Sequence, residues 1–315
     1  MRVLSLRLVM LVVAYLPSAL RRRAIRRLAR LRYNRYQAGM RPQAANIRLR
    51  LGVSEQEAEH ILQRWFELEL LAIVDGVRSR SLDARKVRAV IEIRGIEHLD
   101  DALSRGRGAV LTTGHGTGLT LFFAALGALG YRPSLIRLKA HDRKGRLARW
   151  LYERYNRRLE RHGCTNLWME PSGFRVGVLA LNALRRNELV ISPVDVSQSG
   201  DDAEVTFLGG PALMPRGMAV LAKAANAPLL SFFVYRDTDG RQIAEIDAPV
   251  EVTEVDAAVQ HSAKALERQI LVHPADWSPW HVFDRWRNTS AERGPHDHPG
   301  RRPRDRSPDA PIAGA

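Results

Sequence analysis

The stretch Gly108-Ala-Val-Leu-Thr-Thr-Gly-His115 decides the fold of this chain. Its first six residues form a short apolar run, which is typical of a strand buried on both faces of a parallel sheet. A glycine-rich turn, Gly114-His-Gly-Thr-Gly118, follows directly. The sequence therefore predicts that the imidazole of His115 emerges at the end of a buried strand, with little side-chain bulk around it.

The residues after this strand alternate between helical and strand patterns. Helices are predicted over Leu119 to Leu129, Ala140 to Arg161 and Met218 to Asn226, and strands over Leu189 to Pro193, Leu229 to Tyr235 and Gln242 to Ile246. This alternation predicts an α/β fold with a mostly parallel central sheet flanked by helices. Ligands of such sheets bind at the carboxyl ends of strands, where both His115 and Asp195 fall.

Two further patterns divide the chain. Ser54 and Glu57 form a capping box at the start of an amphipathic helix, and its apolar residues recur at helical spacing: Ile61, Leu62, Trp65, Leu68, Ala72 and Ile73. The last stretch, 288–315, is rich in Pro, Arg, Asp and Gly, so we expect a disordered tail. Residues 1–40 are interpreted as a membrane-associating helical segment and residues 41–287 as the functional domain.

Composition limits the function classes. The 315 residues carry a formal net charge of +15, which implies an anionic partner such as nucleic acid, phospholipid head groups or an acidic carrier protein. No nucleic-acid reader motif occurs, so nucleic acid is not expected. Cys164 is the only cysteine, which excludes an internal disulfide and a zinc ribbon. The sequence calls for no metal or cofactor.

The amino terminus combines an apolar stretch with a basic block. Leu8 to Leu16 is shorter than the roughly 20 apolar residues that span a bilayer. A signal peptide is the alternative, but the arginines that follow, with no acidic residue before Glu55, resist translocation. These arginines are Arg21, Arg22, Arg23, Arg26, Arg27, Arg30, Arg32 and Arg35.

Apolar residues recur at helical spacing within this basic block, namely Leu20, Ile25, Leu28 and Leu31. We interpret the segment as an amphipathic helix on anionic lipid, and a merely solvated basic helix is the alternative. The interpretation places the protein on the cytoplasmic face of the inner (cell) membrane. It also predicts that residues 1–35 can be removed without unfolding the rest.

His115 is the first candidate for chemistry, because a histidine at a strand end is well placed to act as a general base. A lone histidine is also often structural. The glycines around His115 suggest a phosphate loop, but neither a Walker ending nor a Gly-x-Gly-x-x-Gly opening is present. The chain also lacks the Gly-x-Ser-x-Gly elbow of serine hydrolases.

Several stretches together resemble the lipid A biosynthesis late acyltransferases, the lauroyl/myristoyl acyltransferase family. The similarity covers about residues 45–287, and the matching stretches keep the family's order. They are Gly108 to His115, Asp195, Glu204-Val-Thr-Phe-Leu-Gly-Gly-Pro211, Met214 to Ala222, Ala227 to Arg236, His273-Pro-Ala-Asp-Trp277 and Arg285-Trp286-Arg287. The resemblance implies a glycerolipid-acyltransferase-like fold and acyl transfer from a thioester on acyl carrier protein, or on coenzyme A, to a hydroxyl of a glycolipid or lysolipid.

The resemblance also implies roles for particular residues. His115 would take the proton of the acceptor hydroxyl, and Arg158 or its neighbour Arg157 would meet phosphate or the developing oxyanion. Asp195 would orient that arginine or the histidine, although an Asp after a strand can equally cap a helix. Arg216 and Phe207 lie in matching stretches and are the further candidates for substrate binding.

One position departs from the family. Five residues after His115, where the family has Asp or Glu, this chain has Thr120, and Gly116-Thr-Gly-Leu119 replaces the family's Phe-Gly-Asn-Trp. A threonine accepts a hydrogen bond but cannot stabilise an imidazolium by charge. The sequence therefore leaves two functions open, an active acyltransferase in which another carboxylate serves His115, and a catalytically impaired lipid-binding relative.

Overall fold

A computed structural model describes residues 9–10, 12–78, 82–138, 146–169, 174–196, 201–238 and 240–281. The first six residues of the basic helical region predicted from Ala140, and the predicted disordered tail, lie outside the described residues. So does the closing stretch Arg285 to Arg287.

The described residues form helices and strands in alternation. The helices are α1 Ser18–Tyr36, α2 Arg41–Leu51, α3 Glu55–Arg78, α4 Ala84–Val90, α5 Ile96–Ser104, α6 Leu119–Ala128, α7 Arg146–Arg161, α8 Phe174–Arg185, α9 Gly217–Ala225 and α10 Val255–Val272. The strands are β1 Ile91–Arg94, β2 Ala109–Thr113, β3 Pro133–Leu138, β4 Thr165–Met169, β5 Leu189–Pro193, β6 Asp202–Phe207, β7 Gly210–Pro215, β8 Leu229–Arg236 and β9 Gln242–Ile246. Short 3-10 turns cover Gln37–Met40, Pro274–Asp276 and Pro279–His281.

Seven strands make one sheet in the order β1-β9-β8-β2-β5-β3-β4. All neighbours in it are parallel except β8 and β9, which pair antiparallel. The predicted α/β fold with a mostly parallel central sheet flanked by helices is thus confirmed. The other two strands, β6 and β7, form a separate antiparallel hairpin.

The register between β2 and β5 sets the position of the site. Thr113 lies opposite Pro193, and the backbone N–H of Val194 donates to the carbonyl of Thr113 at 2.8 Å. The two strands end at the same level of the sheet. The residues two positions after Thr113 and after Pro193 therefore meet at the same edge. Those residues are His115 and Asp195.

Side chains alternate between the two faces of β2, as a strand requires. Leu111 packs with Phe122 of α6 and Leu99 of α5 on one face. Val110 packs with residues of α8 and α9 on the other face, where the Thr112 hydroxyl lies 3.1 Å from the Ser262 hydroxyl of α10. The sheet is therefore covered on both sides, as the continuous apolar pattern of β2 predicts.

The predicted capping box starts α3. The Glu57 carboxylate accepts from the backbone N–H of Ser54 at 2.8 Å, and the Ser54 hydroxyl accepts from the backbone N–H of Glu57 at 3.2 Å. The helix then presents Trp65 and Phe66 to the large apolar cluster that also contains Trp277. The long helix α3 thereby connects the amino-terminal helices to the region around the sheet's carboxyl edge.

The amino-terminal helix packs differently from the prediction. Ile25 is 1% exposed and belongs to the same apolar cluster as Phe66, with Leu28 packed against that cluster. These two residues face the protein and not a lipid surface, because α1 lies along α3. The removal of residues 1–35 without unfolding stays a prediction, and the packing of α1 on α3 weighs against it. One apolar cluster contains residues from both sides of residue 40.

The outer face of α1 remains strongly basic. Leu20 and Leu31 are exposed there, between Arg23, Arg27 and Arg30. No helix among the described residues is both long and apolar enough to cross a membrane. The exposed face of α1 is thus a cationic surface with scattered apolar side chains.

The packing of α1 predicts the result of two substitutions that each remove side-chain volume. Ile25→Ala should lower the free energy of unfolding by about 2–5 kcal/mol, because it opens a cavity in the core. Leu31→Ala is the control, and since Leu31 is 67% exposed its effect should stay within about 0.5 kcal/mol. Urea unfolding followed by circular dichroism measures both. Equal, small effects would mean that α1 does not pack on α3 in solution.

Candidate active site

A histidine and an aspartate from neighbouring strand ends form the centre of the site. His115 Nδ1 lies 2.6 Å from Asp195 Oδ1. The Asp195 side chain is fully buried, while 46% of the His115 side chain is exposed. A carboxylate can only accept, so Nδ1 carries the hydrogen and the lone pair of the imidazole is on Nε2. The pair therefore presents a fixed tautomer towards solvent.

The second oxygen of the carboxylate has two donors. Asp195 Oδ2 accepts from the backbone N–H of His115 at 2.5 Å and from Trp277 Nε1 at 2.8 Å. A buried charge is tolerated only when hydrogen bonds replace its water. These three contacts satisfy that condition for Asp195 and bind the turn after β2 to the turn after β5.

Glycine is required where the turn after β2 approaches its neighbours. A Cβ on Gly114 would lie 2.7 Å from Leu266 Cδ1 and 3.0 Å from Asp195 Oδ2, and a Cβ on Gly116 would lie 2.9 Å from the Asp276 carbonyl. The glycines on both sides of His115 thus allow the backbone to come close enough for the carboxylate to reach it. These close approaches explain why both neighbours of His115 are glycines.

The electrostatics of the pair affect its protonation. Burial lowers the pKa of His115, but the charge of Asp195 and the hydrogen bond to it have the larger combined effect, so the pKa is raised from its ordinary value of 6.5. A base with a raised pKa holds an abstracted proton more strongly. The arrangement therefore suits a group that must carry a proton during a reaction step.

The other predicted catalytic residues contact different partners. The Thr120 hydroxyl donates to the Tyr155 hydroxyl at 3.1 Å. Arg158 is half-buried on α7 and donates to the carbonyl of Gly76, at the carboxyl end of α3, where a cation also interacts favourably with the helix dipole. The structure thus brings His115 and Asp195 together, while Thr120 and Arg158 make these contacts elsewhere.

The predicted substrate-binding residues occupy three different settings. Arg157 is exposed on α7. Arg216 donates twice to the carboxylate of Asp256, at 2.6 and 2.9 Å, so a substrate anion would compete with that ion pair. Phe207 is 0% exposed and packs edge-on against Trp277, with ring centroids 6.0 Å apart, which makes it a wall behind the pair.

The turn that contains Trp277 was not among the predicted site residues. Its backbone contacts the histidine turn directly. The N–H of Ser278 donates to the His115 carbonyl at 2.9 Å, and Trp277 forms an isolated antiparallel β-bridge with Gly116. Trp277 is also 0% exposed. The stretch His273 to Trp277 matches a family motif, and that match was the only signal in the sequence for this contact.

A buried charge cluster lies beside this turn. Arg236, at the end of β8, pairs with Asp75 of α3. Burial raises the pKa of Asp276 to about 7, although Arg64 and Arg236 both act to lower it. Gln242 donates to the Gly118 carbonyl at 2.6 Å and accepts from Arg236 at 3.1 Å. These contacts hold the far end of the histidine turn against β9.

Two other groups of side chains are relevant to the chemistry. In the part of the chain that the structure describes, no group of three or more His, Cys, Asp or Glu side chains is arranged to hold a metal ion. The lone thiol, Cys164, is buried, which raises its pKa to about 12 and leaves it a poor nucleophile. The contact of His115 with Asp195 suits proton transfer at His115.

Comparison with known protein families gives a match over most of the chain. Residues 4–288 match the family described as bacterial lipid A biosynthesis acyltransferase. No curated protein matches the chain. The matched range includes the amino-terminal helices, the whole sheet and the turn that contains Trp277.

The pairing of His115 with Asp195 predicts a measurable pKa. In Asp195→Asn the pKa of His115 should fall below that of the parent, because the negative charge that raises it is removed. Folding raises this pKa in the parent, so the pair's contribution to stability is full below pH 6.5 and is lost as the pH rises through the raised value. NMR titration of the imidazole C–H signals measures the shift, with His115→Gln to identify the signal. The same pKa in parent and Asp195→Asn would contradict the pairing.

Proposed function

The chain belongs to the bacterial lipid A biosynthesis acyltransferase family, and we propose that it moves a fatty acyl group from a thioester to a hydroxyl of a glycolipid or lysolipid at the membrane surface. Acyl transfer to a lipid follows from the family. The donor, an acyl carrier protein or coenzyme A thioester, and the roles of individual residues are the proposal. The observation that carries it is the 2.6 Å contact between His115 Nδ1 and the buried Asp195 carboxylate.

The proton transfer follows from this contact. The acceptor hydroxyl approaches Nε2 of His115 and loses its proton to it as the oxygen attacks the thioester carbonyl. The tetrahedral intermediate then collapses, the carbon–sulfur bond breaks, and the leaving thiolate takes the proton back from the imidazolium. The products are an ester and a free thiol. Asp195 stabilises the imidazolium and keeps its ring oriented without being protonated.

Negative charge on the intermediate and on a lipid phosphate needs a cation. Arg157 and Arg158 are the candidates on α7. Arg158 is half-buried, and its guanidinium donates to the Gly76 carbonyl, so we propose it as a cation that is held in place on this helix. Arg157 is exposed and needs no rearrangement to meet an anion.

A second function has one specific observation in its favour. Thr120 lies five residues after His115, where the resemblance implies a carboxylate, and its presence would suit a lipid-binding relative that has lost its chemistry. Against it, Asp195 supplies a carboxylate to the same imidazole from the neighbouring strand. The contact favours the active enzyme, and Asp195 is the residue that we propose replaces the missing acid.

The membrane surface is proposed from the charge of α1. Its exposed arginines and the basic helix α7 would attract anionic lipid, with each basic residue adding about 1 kcal/mol near such a surface. The same charge suits an acidic carrier protein as acyl donor. We place the protein, on this basis, on the cytoplasmic face of the inner membrane.

Acyl-transfer rates can separate the role of Asp195 from the role of Thr120. His115→Ala should abolish transfer, and Asp195→Asn should reduce kcat by about 10²- to 10⁴-fold, by analogy with the orienting aspartate of a catalytic triad. Thr120→Val is the matched control and should change kcat by less than about threefold, because it removes only one hydrogen bond to Tyr155. The assay follows labelled acyl groups from carrier protein and from coenzyme A into lipid.

Two results would contradict these roles. Full activity in His115→Ala would make the histidine structural, and full activity in Asp195→Asn would remove the replacement of the missing acid. No transfer by the correctly folded parent, with retained lipid binding, would favour the lipid-binding function.

The proposed membrane surface predicts a charge-dependent affinity. The double variant Arg27→Glu/Arg30→Glu should bind vesicles with anionic lipid at least about 30-fold more weakly, since two contributions of about 1 kcal/mol are lost. Arg85→Glu/Arg88→Glu on α4 changes the net charge equally and serves as the control. Flotation with anionic and neutral vesicles measures both. An equal loss in the two variants would mean that only net charge matters and that α1 is not the surface.

A further inference from the structure

We propose that Trp277 is a positioning residue for acyl transfer, which holds the Asp195 carboxylate in the orientation that directs Oδ1 to His115. This inference rests on the proposed function, because it assigns a role to Trp277 in the same site. Trp277 is 0% exposed, so it acts through Asp195 and not by touching a substrate.

The hydrogen bonds on the carboxylate are divided unequally between its oxygens. Oδ2 accepts from Trp277 Nε1 at 2.8 Å and from the His115 backbone at 2.5 Å, and Oδ1 accepts from the His115 ring at 2.6 Å. Both backbone and ring donors belong to the residue that is being oriented. The indole is thus the donor that fixes the carboxylate from outside the histidine turn.

Packing fixes the indole in turn. Its ring meets Phe207 edge-on, and Trp280 at a centroid distance of 4.7 Å and an angle of 84°. The adjacent backbone contacts the histidine turn through Ser278 and Gly116. One short segment therefore holds both members of the pair, His115 by its backbone and Asp195 by its side chain.

Loss of the indole N–H has a defined consequence. The carboxylate keeps its two donors from His115 but loses the third donor, so the torsion about its Cβ–Cγ bond is held less tightly. The charge on Asp195 is also less offset, so its effect on the imidazole changes. Transfer of the proton should suffer, whereas substrate binding should not, since Trp277 lies behind the pair and away from solvent.

The test compares two buried tryptophans of one apolar cluster. Trp277→Phe should lower kcat by about 10- to 100-fold with KM within about twofold, by analogy with the groups that orient metal ligands. It should also move the pKa of His115, measured by NMR titration. Trp65→Phe is the control, because Trp65 lies in the same cluster and its ring contacts Phe66. The pKa of His115 in this control should match the parent.

A second variant covers the case in which Trp277→Phe does not fold. Replacement of Trp277 by β-(3-benzothienyl)alanine keeps the bicyclic shape and substitutes sulfur for the N–H. The same loss of kcat and the same shift in the pKa of His115 are expected. An unchanged pKa in this variant would overturn the positioning role, whatever happens to kcat, because the indole would then act only by filling space.

The NMR readout keeps this inference distinct from the proposed function. If His115→Ala retains full activity, the acyl-transfer assignment fails, but the pKa of His115 still reports whether Trp277 orients the carboxylate. If His115→Ala is inactive and neither Trp277 variant moves the pKa, the proposed function stands and the positioning role fails.

Discussion

A buried carboxylate is the constraint on which the rest of this structure depends. Removing a carboxylate from water costs several kcal/mol unless donors replace the water, and the Asp195 side chain is fully buried. Its donors come from His115 and Trp277, which are distant from it in the sequence. The fold must therefore bring the turn after β2, the turn after β5 and the stretch after α10 together before the charge is tolerable.

Packing also connects the amino-terminal helices to this site. Trp277 packs on Trp280, and the carbonyl of Trp280 accepts from the Asn46 side chain of α2 at 2.9 Å. The helices α1 and α3 complete the apolar cluster that contains both tryptophans. A change in α1 or α2 can thus reach the pair at the sheet edge through continuous packing, although these helices lie early in the chain.

Sequence patterns predicted the helices and strands that depend on neighbouring residues in the chain, but not the contacts between distant ones. The strands β5 and β9 have the predicted bounds, whereas β3 and β4, in which Ser134, Arg137 and Asn166 separate the apolar residues, were missed. Periodicity identified α1 as a helix but could not tell whether Ile25 faces lipid or protein. His115 and Asp195 were both placed at strand ends, but their contact depends on β2 and β5 being neighbours, which is a property of the topology.

The source of the carboxylate determines which part of the site must be rigid. An acid five residues after the histidine would require that the turn and the start of the following helix both be fixed. Here the acid follows β5, and the five paired residues of β2 and β5 set its distance from His115. Ladder hydrogen bonds between buried parallel strands resist such displacement. Thr120 bonds to Tyr155, and Asp195 holds His115 in a single tautomer without a carboxylate five residues after it.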